Sequence, residues 1–360
     1  MKLLVFAGLS EKKLLSKLLP ILELKQVDRL FLIRKEPLVF THPKLSCCCP
    51  PKGLSKFPGI SDIIRFIIGI RLCLRQCPNV IMGYYFFMHG LFAIALSTLF
   101  QTNSVIMFLG TDLFWNISRS PWKHFWLKWI TKATFIGVRG QNSKKWLESH
   151  GIEANKIFIP ANFYEFPDIP EQSNSVSNKM YDLIMIADIN PEKRVDLFLT
   201  IVYRLQKKIP SIRAVIVGDG VLKSKMIDLS KKIGIDQHVD FVGYQENCID
   251  FIVKSKVFIL TSRQEGLPIS MIEAMGFGLA CVLPDIGDIS SVATNRKNAI
   301  IVPADTIDSF VSAVEALLTN STLYKAISFN AKCICNQKKA EYSLSSISNV
   351  WGDIFEQCIY

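Results

Sequence analysis

Short apolar runs of strand length alternate with helical segments along most of this chain, and this alternation constrains the fold more than any other feature. It is most regular in the second half, where it predicts strands at Tyr181–Ala187, Arg213–Val217, Val239–Val242, Lys256–Thr261, Ala280–Leu283 and Ala299–Val302. The helices predicted between and after them are Val195–Lys208, Leu222–Ile233, Cys248–Lys254, a short helix after Thr261, and Ile307–Leu318. Strands joined by helices run parallel, so the pattern predicts a mostly parallel sheet covered by helices.

The first half shows the same alternation with less regular spacing. The predicted strands are Lys2–Ala7, Arg29–Ile33, about 80–83, about 104–109 and Thr134–Val138. The predicted helices are Glu11–Leu24, about 61–76, about 90–100, Lys123–Thr131 and Ser143–His150, and the segment with three adjacent cysteines and two prolines is predicted to be a loop. Residues 80–111 contain no Lys, Arg, Asp or Glu, which leaves a transmembrane helix as an alternative, but glycines and a polar run interrupt this segment.

The length and the distribution of loop residues predict two domains. A chain of 360 residues can bury two cores of ordinary size. A linker rich in Pro, Ser and Asn is placed at residues 166–178, between domains at 1–165 and 179–344. A final helix is predicted at about Glu341–Gln357. The N-terminal run MKLLVFAGLS is predicted to be a buried strand rather than a signal peptide, because its apolar core is short and charge resumes at Glu11.

Charge is distributed unevenly along the chain. Residues 1–160 hold 22 Lys and Arg against 8 Asp and Glu, whereas the other 200 residues hold 20 against 23. In Ile63–Arg75 and Pro121–Lys132 the basic residues are interleaved with large apolar ones, which favours an anionic membrane surface over nucleic acid as the partner. The alternative is that these segments are core helices with solvated basic faces. Ten cysteines without paired CxxC elements indicate reduced thiols in a cytosolic protein rather than structural zinc.

The stretch from Ser262 to Gly278 is the most informative about function. It follows a predicted buried strand and opens a helix whose first position is predicted at Pro268. Leu267, the predicted N-cap residue, has no side-chain acceptor, so the amides of the first turn are expected to be free for an anion. Glu265 and Glu273 add two carboxylates that suit sugar or ribose hydroxyls. The alternative is an ordinary strand-to-helix turn with solvated glutamates, and residue chemistry alone does not decide between the two.

The same stretch, written EGLPISMIEAMGFG, resembles the donor-binding signature EG-x-P-x4-EAM-x-x-G of the retaining glycosyltransferases of family 4. The resemblance implies an α/β GT-B fold, with two Rossmann-like doubly wound domains facing each other across a cleft. It also implies that a C-terminal helix, here at 345–360, crosses back to the first domain. The family requires no metal and no cofactor, and none is expected here.

The resemblance implies roles for individual residues. The catalytic candidates are Glu265 and Lys193, the latter in a segment that resembles the family's Pro-Glu-Lys-Gly. The donor-binding candidates are Glu273, Gly266, Leu267, Gly218, Gly220, Gly243, Tyr244, Gly8 and Arg194. His89 and Asp112 are acceptor-side candidates, although a lone histidine in an apolar stretch is more often a core residue. Two departures weaken the match, because Asp188 replaces an expected arginine and Leu109 replaces an expected histidine.

These features together predict a retaining glycosyltransferase at the cytoplasmic face of a membrane. It would use a nucleotide-sugar of the UDP or GDP type and transfer the sugar to a hydroxyl of a lipid-linked or glycan acceptor in surface polysaccharide biosynthesis. Two other functions stay open at this point. One is a catalytically degenerate partner protein that binds a nucleotide or glycan lipid, and the other is an oxidoreductase, which rests only on Gly218 and Gly220.

Overall fold

The structure of the chain is a computed structural model that describes residues 1–54, 57–161, 163 and 179–358. The chain divides into two compact units, the first made of Met1–Glu165 and Ala340–Tyr360 and the second of Phe166–Lys339. The predicted linker at 166–178 lies outside the described residues.

The first unit contains a seven-stranded sheet whose strands all run parallel. Its elements are β1 (Lys2–Phe6), α1 (Glu11–Leu22), β2 (Arg29–Ile33), β3 (Leu45–Cys48), α2 (Pro58–Gln76), β4 (Val80–Tyr84), α3 (Leu91–Phe100), β5 (Asn103–Met107), α4 (Lys123–Ile130), β6 (Phe135–Gly137), α5 (Gln141–Ser149) and β7 (Ile157–Phe158). The strand order is β3-β2-β1-β4-β5-β6-β7.

Alternate residues of each strand face opposite sides of this sheet and define two cores. Val105 and Met107 of β5 pack in a cluster with α1. Ile106, between them, packs with residues of α3 and α4, and the neighbouring cluster of β1 and β4 residues includes Cys73 of α2. Helices α2, α3 and α4 therefore cover one face of the sheet and α1 covers the other.

The second unit contains a six-stranded, fully parallel sheet with the order β10-β9-β8-β11-β12-β13. Its elements are β8 (Tyr181–Ile186), α6 (Val195–Gln206), β9 (Ala214–Val217), α7 (Lys223–Lys232), β10 (Val239–Gly243), α8 (Ile249–Val253), β11 (Ser255–Ile259), α9 (Ile269–Gly276), β12 (Ala280–Pro284), β13 (Ile300–Val302), α10 (Ile307–Thr319) and α11 (Ser321–Lys338).

The last helix, α12 (Leu344–Glu356), belongs to the first unit. Its Ser348 donates a hydrogen bond to the carbonyl oxygen of Pro20 in α1 over 2.8 Å. Its Trp351 packs edge-on against Phe158 of β7, with ring centroids 5.2 Å apart. The chain thus returns to the first sheet after completing the second, and α12 shares the α1 face.

The predicted fold class, two doubly wound Rossmann-like parallel sheets, is confirmed. Three local predictions were incomplete or wrong. Cys47 and Cys48 lie in the edge strand β3 rather than in a loop, and neither β7 nor the 18-residue helix α11 was predicted. The uncharged segment 80–111 divides into two strands and a helix, and no described helix is long and apolar enough to cross a membrane.

Each sheet has one point at which the order of its strands reverses. In the second unit the chain builds β8, β9 and β10 outward and then returns to place β11 on the other side of β8. In the first unit the same reversal lies between β1 and β4. Loops that leave the carboxyl ends of two such strands diverge and leave a crevice, which is where open α/β sheets bind ligands.

Candidate functional site

Lys193 and Glu265 meet at the strand reversal of the second unit. Lys193 follows β8 and Glu265 follows β11, and the ammonium Nζ lies 2.6 Å from Glu265 Oε1. Ser262 donates a second hydrogen bond to the same oxygen over 2.7 Å. The Glu265 side chain is 9% exposed, so these two hydrogen bonds satisfy a largely buried carboxylate oxygen. The two predicted catalytic residues are therefore in contact although they are 72 positions apart.

Hydrogen bonds from two side chains to the backbone fix the turn that carries Lys193. Asn190 caps this turn by accepting the Lys193 amide at 3.1 Å. The hydroxyl oxygen of Thr261, which is buried, lies 2.9 and 3.0 Å from the carbonyl oxygens of Lys193 and Arg194, and these two acceptors share its single proton. The loops after β8 and β11 thus hold each other, and the ammonium is pre-positioned.

The loop after β12 supports Glu265 from a third direction. Gly287 has a φ of +57°, and a Cβ atom there would lie 2.2 Å from the carbonyl oxygen of Glu265. The amide of Asp288 donates to the carbonyl oxygen of Gly266 over 3.0 Å. Because only a glycine permits this approach, residue 287 helps to set the position of the Glu265–Gly266 backbone.

Helix α9 begins one residue later than predicted. Pro268 occupies the N-cap position, with φ −69° and ψ 127°, and Leu267 precedes it. The prediction that Leu267 is the N-cap residue was therefore wrong, because the extended ψ of Pro268 keeps it outside the helix. The chemical consequence is unchanged, since Pro268 also lacks a side-chain acceptor for the amides of the first turn. Glu273 lies in the second turn of α9 and is half-buried.

Gly218 and Gly220 follow β9 with φ values of +150° and +157°. Cβ atoms at these positions would lie 1.9 Å from the carbonyl oxygen of Ala187 and 2.4 Å from that of Ile189. The close approach that these glycines permit is therefore to the chain's own loop after β8, which carries Lys193. Gly243 ends β10 with a φ of +78°, and the adjacent Tyr244 is 65% exposed.

Arg194 pairs with two aspartates in this structure. Its backbone is left-handed, with a φ of +52°, and its Nε lies 2.9 Å from Asp196. Its Nη1 pairs with Asp305. These two carboxylates raise the pKa of the guanidinium, with the hydrogen bond to Asp196 as the largest cause. Arg194 is thus held beside the site but is bonded to carboxylates of its own.

Gly8 and His89 meet at the strand reversal of the first unit. A Cβ atom on Gly8 would lie 2.8 Å from Cε1 of His89. His89 Nδ1 lies 2.7 Å from the Tyr84 carbonyl oxygen, and its Nε2 lies 2.8 Å from Nη1 of Arg65. A carbonyl only accepts and a guanidinium only donates, so the ring is neutral with its proton on Nδ1. Burial lowers the His89 pKa to about 4, and both ring nitrogens are used within the unit.

Asp112 is fully buried and joins two loops of the first unit. Its carboxylate accepts amides from Phe86, which follows β4, and from Leu109 and Gly110, which follow β5, at 3.0–3.1 Å. Burial raises its pKa to about 6, and the hydrogen bonds oppose that shift. Asp112 therefore positions the loops at this edge of the sheet.

Several residues of these sites were not assigned from the sequence. Ser262 begins the stretch that ends at Gly278, and Asn190 directly precedes the Pro191–Lys193 segment, so their hydroxyl and amide side chains were an available signal. Arg34, which follows β2, was not identified. It is 8% exposed and donates to the Leu9 carbonyl oxygen over 3.2 Å, and within the described residues its Nε and Nη1 have no hydrogen-bond partner. A polar residue directly after an apolar strand could have indicated it.

Among the described residues, no group of three or more His, Cys, Asp or Glu side chains is arranged to hold a metal ion. Metal independence stays a prediction.

The arrangement in the second unit combines a lysine, a buried carboxylate and an uncapped helix N-terminus at a strand reversal. Residues 167–333 match the family model of glycosyl transferases group 1. An uncharacterized glycosyltransferase of Methanocaldococcus jannaschii is 28% identical over 70% of this chain and 65% of its own length. The UDP-Gal:alpha-D-GlcNAc-diphosphoundecaprenol alpha-1,3-galactosyltransferase of Escherichia coli is 24% identical over 48% of this chain and 45% of its own length. The matches thus span 65% and 45% of the lengths of these two relatives.

Solved structures resemble the whole chain at low sequence identity. Anabaena HepE, solved in complex with UDP, has a TM-score of 0.76 at 13% identity and covers 99% of this chain and 100% of its own. Sucrose-phosphate synthase of Thermosynechococcus elongatus also has a TM-score of 0.76 at 13% identity, over 100% and 99% of the two chains. These likenesses show the fold, which is that of GT-B proteins.

Proposed function

We propose that this chain is a retaining glycosyltransferase of family 4 that transfers a sugar from a nucleotide-sugar to a hydroxyl of a lipid-linked or glycan acceptor, in the synthesis of a surface polysaccharide. The observation that carries the proposal is the contact between Lys193 and Glu265 beside the N-terminus of α9. The group 1 family match over 167–333 includes all of these residues.

Lys193 and the amides of Gly266 and the first turn of α9 stabilise the departing diphosphate in this proposal. An ammonium has three N–H groups, and Glu265 Oε1 accepts one of them, which leaves capacity for phosphate oxygens. Helix N-terminal amides add further donors to an anion. Charge that develops on the leaving group is stabilised most when its partners are already in place, and the capped Lys193 turn provides this.

The two glutamates hold hydroxyl groups of the donor. Lys193 and Ser262 both bond to Oε1 of Glu265, so its second oxygen Oε2 is the proposed acceptor for sugar hydroxyls near the reacting carbon. Glu273, on α9, accepts the ribose hydroxyls. The retaining stereochemistry follows from the family resemblance, and the transfer is proposed to need no metal ion.

The partners are proposed from chemistry and from the relatives. HepE was solved with UDP, which supports a UDP-type donor, with GDP as the other candidate. The E. coli relative acts on a diphosphoundecaprenol-linked sugar, which supports a lipid-linked acceptor and a peripheral position on the cytoplasmic face of a membrane. The excess of basic residues in 1–160 is consistent with such a surface.

Nucleotide binding tests the donor site first. A thermal-shift screen with UDP, GDP and their sugar conjugates should show stabilisation by one nucleotide type, because a ligand at a hundred times its Kd adds about 2.7 kcal/mol. In calorimetry, Glu273→Ala should weaken binding of that nucleotide by about 1.5–3 kcal/mol, the scale of a hydrogen bond to a charged group. Unchanged affinity would remove the ribose role of Glu273.

Turnover tests the catalytic role. Glu265→Gln keeps the shape of the side chain, so we expect nucleotide affinity to remain and sugar transfer or donor hydrolysis to be lost. The anomeric configuration of the product, followed by NMR, tests retention. Nucleotide binding by the wild-type protein without transfer or hydrolysis would contradict an enzymatic function.

A further inference from the structure

The outward side of helix α2 is apolar although it faces water. Ser61, Arg65 and Cys73 are buried, and they lie at four- and eight-residue intervals along the side that faces the sheet. The opposite side carries Ile60, Ile63, Ile67 and Leu74, which are 46%, 62%, 55% and 67% exposed. We call these four residues, with Arg71 and Arg75 between and beside them, the outer side of α2.

Packing within the chain does not account for this pattern. A helix that covers one face of a sheet needs a single apolar stripe, and its solvent side is ordinarily polar. Phe57 directly before α2 is 58% exposed, and Leu99 of α3 and Trp122 and Phe125 beside or in α4 are 64%, 67% and 49% exposed. Since α2, α3 and α4 cover the same face of the first sheet, exposed apolar side chains recur across that side of the unit.

The net positive charge of this part of the chain favours an anionic binding partner for the exposed surface. Residues 63–147, which contain α3, α4 and most of α2, hold ten Lys and Arg and only one acidic residue, the fully buried Asp112. Arg71 and Arg75 are exposed on the outer side of α2. The only acidic residue of α2 is Asp62, which pairs with Arg65. An exposed apolar surface with arginines and no exposed carboxylate is complementary to an anionic lipid bilayer.

We infer that α2 lies in the plane of an anionic bilayer, with Ile60, Ile63, Ile67 and Leu74 at the acyl boundary and Arg71 and Arg75 at lipid phosphates. A helix of 19 residues is about 28 Å long, and arginine stems can extend along the interface while their charges stay at the headgroups. The inference rests on the proposed function, whose acceptor is membrane-associated, and specifies the surface that binds the membrane.

Two other partners would fit the outer side of α2 less well than a bilayer. A second copy of this chain would bring the same basic surface against the first, and like charges repel across an interface. Nucleic acid would pair with the arginines but would leave the isoleucines in water, because single strands are bound by aromatic stacking and basic grooves.

Co-sedimentation of the full chain with vesicles tests the inference. The wild-type protein should bind vesicles of phosphatidylcholine with phosphatidylglycerol, and bind phosphatidylcholine alone more weakly. The double variant Ile63→Asp, Ile67→Asp should lower the partition coefficient about tenfold or more, because two apolar side chains no longer leave water. Arg71→Gln with Arg75→Gln should lower binding only to the anionic vesicles and reduce its dependence on salt.

The matched control is Phe329→Asp, which places the same charge on an exposed apolar position, 68% exposed, of α11 in the second unit. It should bind vesicles like the wild type. Equal binding by the wild type and the Ile63/Ile67 variant would overturn the inference, as would a wild-type protein that binds neither vesicle or that instead dimerises through these isoleucines. Binding is measured without nucleotide, so a chain that binds vesicles but no nucleotide would contradict the proposed donor and support this surface.

Discussion

Burial shifts the pKa of two residues of the first unit in opposite directions over one pH range. Desolvation of the imidazole is the largest cause of the low His89 pKa of about 4, against an ordinary value of 6.5, and Arg65 adds to it. Desolvation raises the pKa of Asp112 to about 6 from 3.8. Between about pH 6.5 and 4 the unfolded chain binds the His89 proton and the folded chain does not, so His89 lowers stability as the pH falls. Asp112 raises stability over nearly the same range, because the folded state binds its proton first.

The two effects largely cancel in the wild type, and a His89→Asn variant should separate them. The free energy of unfolding of the wild type minus that of the variant should fall as the pH is lowered from about 6.5 to 4, by an amount of the order of 3 kcal/mol. All six tryptophans lie in the first unit, so their fluorescence follows its unfolding alone. A difference that does not change with pH would mean that His89 is not held neutral.

Ser262 is expected to act on catalysis through Glu265. It is 1% exposed and donates to Glu265 Oε1 over 2.7 Å. Ser262→Ala leaves Glu265 with Lys193 alone, and we expect about a tenfold or larger fall in kcat, which corresponds to about 1.5–3 kcal/mol for a hydrogen bond to a charged group. Nucleotide affinity should be unchanged, and Ser262→Thr should restore much of the activity. A parallel loss of nucleotide binding in Ser262→Ala would indicate a merely structural role.

A glycine in the second unit can be required for two reasons, because a Cβ atom would overlap a neighbouring loop or because the backbone is left-handed. Substitutions at two glycines measure the cost of each. Gly218→Ala should destabilise the second unit by about 3 kcal/mol or more, because its Cβ would overlap the Ala187 carbonyl oxygen at 1.9 Å. Gly234 has a φ of +72° but nothing within 4 Å of a Cβ, so Gly234→Ala should cost only about 1–2 kcal/mol.

Hydrogen exchange of the second-unit amides measures both changes, and the tryptophan signal of the first unit should stay constant in each variant. Gly218→Ala should also weaken nucleotide binding, since it displaces the loop that carries Lys193. Equal costs at the two positions would show that the loop after β8 moves freely to accommodate the Cβ.

The sequence predicted best the elements whose buried residues form an unbroken apolar run. The strands of the second unit are continuous apolar runs, and their predicted bounds differ from the observed ones by one or two residues. Helix α11 was missed because its buried positions include the small residues Ala331 and Cys335 between polar ones, although Asn320 caps it by accepting the Leu323 amide. Strand β3 was missed because it is a short, half-exposed edge strand.

At the scale of the whole molecule, strand order decides which distant residues form a site. The motif resemblance indicated Glu265 and Lys193, and the parallel topology explains why loops after β8 and β11 bring them to 2.6 Å. Residues such as Gly287 and Asn190 could not be assigned in the same way, because their roles depend on how separate loops approach each other. The excess of basic residues was visible in the sequence, but the solvent exposure of Ile63 and Ile67 required the structure.

Chain connectivity makes the last helix a part of the first unit's core, and removing it should unfold that unit selectively. Ile347, Trp351 and Phe355 of α12 are 2%, 2% and 0% exposed and pack in the cluster that contains α1. Burial of three such side chains contributes about 1.5–3 kcal/mol each, which is comparable with the whole stability of a domain of about 5–15 kcal/mol. A chain that ends at Tyr342 should therefore lose the cooperative transition reported by its five remaining tryptophans. The second unit has its own core and should keep its amide protection and its stabilisation by nucleotide.

The control is Trp351→Ala in the full chain, which should lower the midpoint of the unfolding transition of the first unit without abolishing it. A truncated chain with an unchanged tryptophan transition would show that residues 1–161 fold without α12, and α12 would then be an attachment rather than part of the core.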